Sequence, residues 1–298
     1  MASEGWKFRG NYSTAGQSPE LPNAVYVLLR DLIVERTGVL FDERKRSLFA
    51  DKLSELVVEK GFASFLDYYY LLRYEVGDAH WRELMDHMAV PETYFWRQSE
   101  QITALSQTIA PAHFAASAGR PLRVWSAACC SGEEPLSLAI ALAEAGLLGR
   151  VPIEIVGTDG SPAMIERARV GLYGERSFRQ LPEQLKTKYF EPVGAKWRPI
   201  ESIRGAVRWN VANLMRPDEI RSTATAEVIF CRNVFIYFSD DAIRTVVRSF
   251  AECMPKDAYL FLGASESLAR LSVPFELAEI GGAFVYVQEG RQKVQCPV

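Results

Sequence analysis

The sequence lacks the residues on which several kinds of protein chemistry depend. Its 298 residues include only three histidines and five cysteines, and the cysteines form neither a CxxC pair nor a metal-ligand spacing. No P-loop, HExxH motif, serine nucleophile elbow or GxGxxG loop is present. These absences argue against a metal site, a disulfide framework and dinucleotide binding. Imidazole-based catalysis is also disfavoured, because the histidines all precede the α/β part predicted below.

Long apolar runs and a strong charge bias are missing as well. No stretch approaches the roughly 18 to 20 uninterrupted apolar residues of a membrane span, and the polar N-terminus does not resemble a signal peptide. The 34 basic and 37 acidic residues give a formal net charge of -3, which offers no global reason to bind nucleic acid. We therefore expect a cytoplasmic protein that neither inserts into a membrane nor binds nucleic acid.

What is present indicates two domains. Residues 1–20, rich in Gly, Ser and Pro, are interpreted as a disordered lead-in. From residue 21 to residue 90 the apolar periodicity is helical throughout, which predicts a small all-helical domain. Residues 91–120 contain the loop PETYFWR and one further helix, and they link this domain to the rest of the chain.

Residues 121–298 show short apolar runs that alternate with amphipathic helices. This alternation predicts a doubly wound α/β domain with a largely parallel sheet. The alternation lapses at about residues 174–206, which we interpret as a small inserted subdomain. The predicted strands are LRVWSAA, IEIVGTD, AVRWNV, AEVIFCRNV, AYLFLGA and AFVYVQ.

The loop after the first predicted strand favours a cationic ligand. In a doubly wound sheet the ligand binds beyond the carboxyl ends of the strands. Small residues, among them Ala128, let a ligand approach the backbone here, and Glu133 and Glu134 open the next helix. Two carboxylates would repel a pyrophosphate but would favour an ammonium and a sulfonium. Alternatively, each glutamate only complements the helix dipole, and the sequence does not decide between the two.

Polar residues also follow the next two predicted strands. Asp159 ends the second strand, where a carboxylate can accept hydrogen bonds from both ribose hydroxyls of an adenosine ligand. A helix cap is the alternative role, but Ser161 already supplies one. Asn213 and Leu214 follow the third strand and offer one polar and one apolar group to an adenine edge. This last signal is weak when taken alone.

A third cluster ends the buried strand AEVIFCRNV. Arg232 and Asn233 lie together at its carboxyl end, and Tyr237 follows about one helical turn later. Such a group suits the orientation of a small polar reactant. Taken on spacing alone, Tyr237 equally fits an ordinary half-buried aromatic residue.

In this order, the motifs resemble the CheR family of chemotaxis receptor methyltransferases. The likeness covers nearly all of residues 21–290, and the combination of SAAC-x-SGEEP with FCRNV-x-IYF is highly specific. It implies a Rossmann-like domain that uses S-adenosylmethionine as methyl donor, releases S-adenosylhomocysteine and needs no metal. The implied reaction forms methyl esters on glutamate side chains of chemoreceptors. The motifs that carry the likeness are PETYFWR, RVWSAACCSGEEPLSLAI, GTD, NL and IFCRNVFIYF.

The resemblance also implies roles for single residues. Arg97 and Tyr237 would face the reaction centre as catalytic residues, and Thr93 would lie near the donor and the acceptor. The residues implied to bind the donor are Thr93, Arg97, Ala128, Glu133 or Glu134, Asp159, Asn213, Leu214, Arg232 and Asn233. From chemistry alone, Arg97 could instead form a structural ion pair with Glu92 or Glu100.

The implied partner is the cytoplasmic helical bundle of a chemoreceptor. Basic residues near Arg44, Lys45 and Arg46 would lie against this bundle. The inserted subdomain is a few residues shorter than in family members that dock on a receptor's C-terminal pentapeptide. The chain thus resembles the members that work without this tether, and we expect it to act as a monomer.

The chain departs from the family pattern at several positions. Pro91 replaces an asparagine and affects one polar contact to the donor or acceptor. Other changes conserve chemistry, since Trp96 keeps an aromatic plane and Ser131 keeps a hydroxyl. The remaining departures are Cys130, Leu136 and Ala264, where the family has serine, tyrosine and histidine.

Three other functions fit parts of the sequence. A methyltransferase of nucleobases or small molecules is one, although amino-modifying nucleic-acid enzymes place a polar-Pro-Pro-aromatic run where this chain has CRNVF. An S-adenosylmethionine-binding sensor or receptor scaffold without catalysis is another. Retention of Arg97, Asn233 and Tyr237 argues against it, whereas Pro91 and Ala264 leave it open. A nicotinamide oxidoreductase is disfavoured by the missing glycine fingerprint.

Overall fold

The computed structural model describes residues 20–116 and 119–289. The predicted lead-in over residues 1–20 therefore lies outside the described residues, apart from residue 20, and so does the C-terminal end from residue 290. Within these ranges, no helix is both long enough and apolar enough to cross a lipid bilayer.

Helices alone make up the N-terminal part. Gly38 ends the first of them in the left-handed conformation (φ 78°), which lets the chain turn sharply. Ser64 caps the third, where its hydroxyl accepts a hydrogen bond from the Asp67 N–H. Their apolar faces share one core around the fully buried Tyr26 and Phe49. The helices are α1 (Asn23–Thr37), α2 (Arg46–Glu59), α3 (Phe65–Tyr74) and α4 (Ala79–Met88), with a 3₁₀ turn over Glu43–Lys45.

An interrupted helix connects the N-terminal part to the sheet. Its segments are α5 (Ser99–Ala104), a π-helical stretch (Leu105–Ile109) and α6 (Ala110–Ala116). Pro111 has no N–H, so it cannot donate the α-helical bond to the carbonyl four residues earlier. The wider π turn ends two residues before this proline, and it changes the register of the helix.

A seven-stranded sheet forms the core of the C-terminal part, with the order β5-β2-β1-β6-β7-β9-β8. The first five of these strands pair in parallel, whereas β9 runs antiparallel to both of its neighbours. The predicted doubly wound α/β fold is therefore confirmed. The sheet strands are β1 (Leu122–Ala127), β2 (Ile153–Asp159), β5 (Val207–Val211), β6 (Val228–Phe230), β7 (Tyr259–Phe261), β8 (Phe275–Ile280) and β9 (Ala283–Gln288).

Strand β8 was not among the predicted strands. Its sequence FELAEI carries two glutamates and lies at the edge of the sheet, where it pairs only with β9 within the described chain. Solvent reaches one side of such a strand, so it does not need the continuous apolar run of a buried strand. Strand β6 is shorter than predicted, because the chain leaves the sheet after Phe230.

Helices cover both faces of the sheet. On one face, α7 (Glu133–Glu144) packs together with the connecting helix. On the other face, α12 (Asp240–Cys253) buries Phe250 against Trp125 of β1, with ring centroids 5.3 Å apart. Helix α8 (Pro162–Val170) follows β2, and the short α11 (Pro217–Ile220) follows β5.

Residues 174–206, called here the inserted subdomain, contain short elements. They are a 3₁₀ turn (Glu175–Phe178), α9 (Glu183–Tyr189), the strands β3 (Phe190–Val193) and β4 (Lys196–Pro199), and α10 (Glu201–Arg204). The two strands form an antiparallel hairpin that is separate from the main sheet. Phe178, Tyr189 and Phe190 bury their side chains in the core that also contains α7, so the subdomain packs against the α/β part.

Candidate active site

A cavity of about 370 Å³ opens where the carboxyl ends of the parallel strands meet the helical N-terminal part. This volume lies in the range of roughly 300 to 1,000 Å³ that is usual for small-molecule sites. The strand order reverses beside β1, and ligands bind at such points in doubly wound sheets. The predicted site residues that line the cavity are Thr93, Arg97, Ala128, Glu134, Asp159, Asn213, Leu214, Arg232, Asn233 and Tyr237.

The loop after β1 has a tightly wound backbone. Ala128, Cys130 and Gly132 all have positive φ angles, which cost little only for glycine. A Cβ atom at Gly132 would lie 2.7 Å from the Trp209 ring, so the close packing of α7 requires glycine there. Strained non-glycine residues of this kind concentrate at ligand sites. Burial also raises the pKa of the Cys130 thiol to about 12, so this thiol is neutral at physiological pH.

Glu134 is the glutamate that reaches the cavity. Its Oε1 accepts a hydrogen bond from the Ser126 hydroxyl at 2.6 Å, and its Oε2 accepts one from Arg232 Nε at 2.7 Å. The side chain therefore has a fixed orientation, while its carboxylate oxygens keep further lone pairs for a ligand ammonium.

Glu133 lies elsewhere, which corrects its prediction as a possible donor ligand. Only 3% of the residue is exposed, and it does not belong to the described lining of the cavity. Its carboxylate accepts hydrogen bonds from the hydroxyls of Ser131 and Ser177. Burial raises the pKa of Glu133, and these hydroxyls partly oppose that rise. Glu133 thus joins the β1 loop to the inserted subdomain.

Arg232 acts mainly as an internal link. Its side chain is 2% exposed, and each of its three nitrogens donates to the protein. Nε donates to Glu134, Nη1 donates to Gln101 Oε1 at 3.0 Å, and Nη2 donates to the carbonyl of Arg97 at 2.8 Å. Arg232 therefore positions Glu134 and the loop that carries Arg97, a role that the sequence did not indicate.

Asp159 is held at the cavity by two backbone N–H groups, while Ser161 caps the following helix as the sequence predicted. One carboxylate oxygen accepts the Cys130 N–H and the other accepts the Ser161 N–H, both at 2.9 Å. Burial raises the pKa of Asp159, and these two N–H groups oppose the rise. The carboxylate lines the cavity and retains lone pairs, so it shapes the loop and can also accept ribose hydroxyls.

Asn213 and Leu214 lie at the wall between the two parts of the protein. The Asn213 side chain is committed within the protein, since it donates to the Arg36 carbonyl at 2.7 Å and accepts the Met215 N–H at 2.9 Å. Leu214 is buried and gives the cavity an apolar surface. A direct contact from the Asn213 amide to an adenine is therefore less favoured than the sequence suggested.

Residues 91–97, called here the acceptor loop after the role that the family resemblance implies, carry Thr93 and Arg97. Phe95 anchors the loop, because it is fully buried and its N–H donates to the Ser177 carbonyl at 2.8 Å. Trp96 has a positive φ of 66°, and its N–H donates to the Ser137 hydroxyl at 3.0 Å. These contacts hold the loop against α7 and the inserted subdomain.

Arg97 is directed at the cavity without an acidic partner among the described residues. Its Nη1 donates to the backbone carbonyl of Glu92 at 3.0 Å, and its guanidinium lies 5.3 Å from the Tyr94 ring centroid. The alternative of an ion pair with Glu92 or Glu100 is therefore not what the structure shows. The remaining N–H groups of Arg97 are available to an anion.

Tyr237 is held by the helical N-terminal part. Its carbonyl accepts the Leu40 N–H at 2.8 Å, and the Ser239 N–H donates to the Gly38 carbonyl at 3.1 Å. Val39 and Phe238 form an antiparallel bridge between these contacts. Burial and the nearby Glu92 raise the pKa of Tyr237, although Arg97 opposes the rise, so the phenol is neutral at physiological pH.

The structure adds residues that the sequence did not indicate. Glu266 accepts the N–H groups of Gly263 at 2.6 Å and of Asn233 at 2.8 Å, and thereby fixes the turn after β6. On the opposite side of the cavity, Lys52 reaches it from the helical part. No local pattern marks Glu266 or Lys52, because long-range packing alone brings them to the site. Lys45, which the resemblance implied as a receptor contact, also lines the cavity.

A cationic methyl donor fits the polar groups of Glu134, Asp159 and Asn233, and the part of the cavity around them is called here the donor side. The Oδ1 atom of Asn233 is buried at the cavity without a hydrogen-bond partner in the described chain, and the Glu134 carboxylate lies at the same cavity. Both are acceptors that an ammonium can satisfy, and Asp159 can accept ribose hydroxyls. Within residues 20–116 and 119–289, no cluster of His, Cys, Asp and Glu could hold a metal ion. The fold and this site define an S-adenosylmethionine-dependent methyltransferase.

Comparison with known proteins gives the family. Residues 91–282 match "CheR methyltransferase, SAM binding domain", and residues 24–89 match "CheR methyltransferase, all-alpha domain". The chain belongs to the CheR methyltransferase family. It is 33% identical over 250 residues to chemotaxis protein methyltransferase 2 of Vibrio cholerae, covering 83% of this chain and 87% of that protein. It is 31% identical to chemotaxis protein methyltransferase 1 of Pseudomonas aeruginosa, covering 89% and 97%.

Solved structures show a more distant similarity. An S-adenosylmethionine-dependent methyltransferase from Geobacter sulfurreducens, in complex with S-adenosyl-L-homocysteine, is 13% identical with a TM-score of 0.32, covering 61% of this chain and 53% of that one. The magnesium protoporphyrin IX methyltransferase of Synechocystis, with bound donor, is 14% identical with a TM-score of 0.31, covering 89% and 95%. Similarity this low adds nothing to the family assignment.

Proposed function

We propose that the protein transfers a methyl group from S-adenosylmethionine to glutamate carboxylates on the helical bundle of a chemoreceptor, forming methyl esters. One observation carries the choice of acceptor: Arg97 and Tyr237 line the same cavity as Glu134 and Asp159, and no histidine of the described residues lines it. Because a free glutamate has a pKa of about 4.3, the acceptor is already ionised and needs no general base. The names of the Vibrio and Pseudomonas relatives support a chemotaxis substrate.

Positioning supplies the catalysis in this proposal. When bound, S-adenosylmethionine would supply the methyl group and leave as S-adenosylhomocysteine, so the methyl–sulfur bond would break as the methyl–oxygen bond forms, with no proton transfer. Arg97 and Tyr237 would orient the acceptor carboxylate toward this methyl group, because in-line positioning can supply much of the acceleration. The positive donor and the negative acceptor neutralise one another during transfer, so a cavity that excludes water favours the reaction. Arg97 must bind the acceptor carboxylate loosely, because a carboxylate that is fully paired with a cation is a poorer nucleophile.

The receptor-contact surface in this proposal differs from the one expected. Arg46 turns inward, because its guanidinium donates to the Leu21 carbonyl and lies 5.2 Å from the Tyr26 ring centroid. Arg44 is largely exposed and pairs with its neighbour Asp42. Arg46 is therefore no longer part of the proposed contact.

In the proposed receptor contact, residues at the mouth of the cavity replace Arg46. Lys45 is exposed there, and Lys52 donates to the His87 carbonyl at 2.6 Å. Leu40, Leu48 and Val90 also line the cavity while remaining exposed. A helix that carries carboxylates together with apolar residues matches this mixture of lysines and apolar side chains.

The proposal includes a monomeric enzyme that acts in the cytoplasm without the pentapeptide tether. The short β3–β4 hairpin is consistent with direct recognition of the bundle, because each strand has only four residues. Esterification removes one negative charge from the receptor and thus changes repulsion between neighbouring carboxylates in the bundle. Deleting a receptor's C-terminal pentapeptide should leave the methylation rate unchanged; a large loss of rate would contradict tether independence.

The central experiment uses methyl-labelled S-adenosylmethionine, the purified protein and receptor-containing membranes. We expect base-labile label on the receptor, which disappears when the acceptor glutamates are changed to alanine. Membranes from a strain without receptors serve as the control. Donor binding without any transfer to receptors would contradict the proposed activity and favour a sensor role instead.

A further inference from the structure

The inserted subdomain contacts the acceptor loop through both core and surface side chains. In the core, the Phe95 ring lies 5.1 Å from Phe178 and 4.9 Å from Phe190, measured between ring centroids. At the surface, the Arg179 guanidinium lies 3.6 Å from the Tyr94 ring centroid. Arg179 Nη2 also lies 3.8 Å from Glu92 Oε1. The subdomain therefore contacts both the middle and the beginning of the loop.

The contacts of Arg179 coincide with those of Arg97. Both guanidiniums lie over the Tyr94 ring. Both also interact with Glu92: Arg179 pairs with the Glu92 carboxylate, and Arg97 donates to the Glu92 backbone carbonyl. Tyr94 lines the cavity, whereas Arg179 is outside its described lining. Arg179 is therefore not part of the cavity that would hold the reactants, but it contacts the same two residues, Tyr94 and Glu92, as Arg97 does.

We propose that Arg179 is a positioning residue that orients Arg97 toward the acceptor carboxylate through Tyr94. This inference rests on the proposed function. The Glu92 side chain is 62% exposed, so its ion pair with Arg179 contributes little. The close cation–π contact with Tyr94 is the stronger link. A guanidinium suits it better than a lysine ammonium, because a planar guanidinium can stack on an aromatic face. Without this contact, Tyr94 gains rotational freedom and the Arg97 guanidinium loses part of its support.

The experiment compares Arg179→Ala with Arg176→Ala. Arg176 lies three residues earlier and is exposed, and its side chain forms no hydrogen bond, ion pair or ring contact within the described ranges. Its carbonyl accepts a hydrogen bond from Arg179 Nη1, but alanine keeps this carbonyl, so Arg176→Ala is a matched control. We expect Arg179→Ala to lower kcat for receptor methylation by about fivefold, the effect of losing one partly exposed cation–π contact. The dissociation constant of the donor and the Tm should stay unchanged. Arg179→Lys should recover little activity, and Arg176→Ala should resemble the wild type.

A double variant tests whether Arg179 acts on Arg97 through Tyr94. In a Tyr94→Leu protein, Arg179→Ala should cause no further loss of kcat, because the shared ring is already absent. An undiminished effect in this background, equal rates for Arg179→Ala and Arg176→Ala, or a parallel loss of donor affinity would each overturn the inference. If the wild-type protein transfers no methyl group to receptors, the proposed function fails and this inference fails with it.

Discussion

The donor side and the acceptor side of the cavity differ in how their polar groups are satisfied. On the donor side, the carboxylates of Asp159 and Glu134 each accept two hydrogen bonds from the protein. The acceptor side is the part of the cavity around Arg97 and Tyr237. There the Arg97 side chain donates one hydrogen bond to the protein, and the Tyr237 hydroxyl forms none with the described residues. In the proposed mechanism, the donor side is thus preorganised for one small molecule. The acceptor side keeps unpaired N–H and O–H groups that would bind a carboxylate of another protein.

The two sides also come from different parts of the chain. Loops that directly follow β1, β2, β5 and β6 build the donor side. The acceptor side combines residues of the helical part, the acceptor loop and the segment around Tyr237. Substitutions on one side should therefore change the affinity for the methyl donor, and substitutions on the other should change the kinetics of receptor methylation.

The largest expected effect is on the donor side. Asp159→Ala removes a charged acceptor of ribose hydroxyls and also frees two loop N–H groups. We expect donor binding to weaken by about 100-fold, measured by calorimetry. Glu154→Ala is the control, because Glu154 lies on the same strand but pairs with Arg208 at the surface. A change below about threefold would remove Asp159 from the proposed donor site.

Arg97→Ala should give the next largest effect, on the acceptor side. We expect kcat for receptor methylation to fall by about 30-fold while the dissociation constant of the donor changes less than about twofold, because positioning is lost but donor contacts remain. Arg248→Ala, at an exposed position of α12 outside the described cavity lining, is the control. Equal losses in kcat and in donor affinity would assign Arg97 to the donor side instead.

A smaller effect is expected at the mouth of the cavity. Leu48→Ser should raise the KM for the receptor by about fivefold, because it removes apolar area that the partner helix would bury. Val58→Ser is a matched control, since Val58 is exposed on the same helix but is not part of the described lining. Steady-state kinetics with varied receptor would measure both variants. Similar KM values for the two variants would argue against contact at this surface.

The smallest expected effect is that of pH. The acceptor is ionised above its pKa of about 4.3, and Tyr237 stays protonated below a pKa that burial raises above its usual 10. Both groups therefore keep their active forms between about pH 6 and pH 9, and kcat/KM should vary by less than about twofold there. An inflection near pH 6.5 in the rate profile would reveal an imidazole that the proposed mechanism does not contain.

The donor side was largely predictable from sequence because its residues follow predicted strands. The carboxyl ends of parallel strands meet at one edge, so Asp159, Asn213 and Arg232 had to lie near one another. The choice between Glu133 and Glu134 was not predictable. Successive helix residues point about 100° apart, and the phase of this rotation depends on how α7 packs.

The acceptor side was less predictable without the family resemblance. Leu40, Lys45 and Lys52 reach the cavity only because the helical part packs against the ends of the strands. Glu266 is more than 30 residues beyond the backbone N–H of Asn233 that it binds, and no periodic pattern marks it. Strand β8 was missed for a similar reason, since its pairing with β9 is not encoded in an apolar run.

The bridge between Val39 and Phe238 bears on how this enzyme could be re-engineered. The backbone groups of Gly38 and Leu40 hold the segment of Tyr237 by main-chain hydrogen bonds, which do not depend on side-chain identity. A chimera could therefore carry another relative's helical part and acquire its partner preference, provided that the grafted turn keeps the path of residues 38–40. A graft limited to residues 41–90 would keep the native turn and its hydrogen bonds to the segment of Tyr237, and would therefore preserve the reaction centre more faithfully than exchange of the whole helical part.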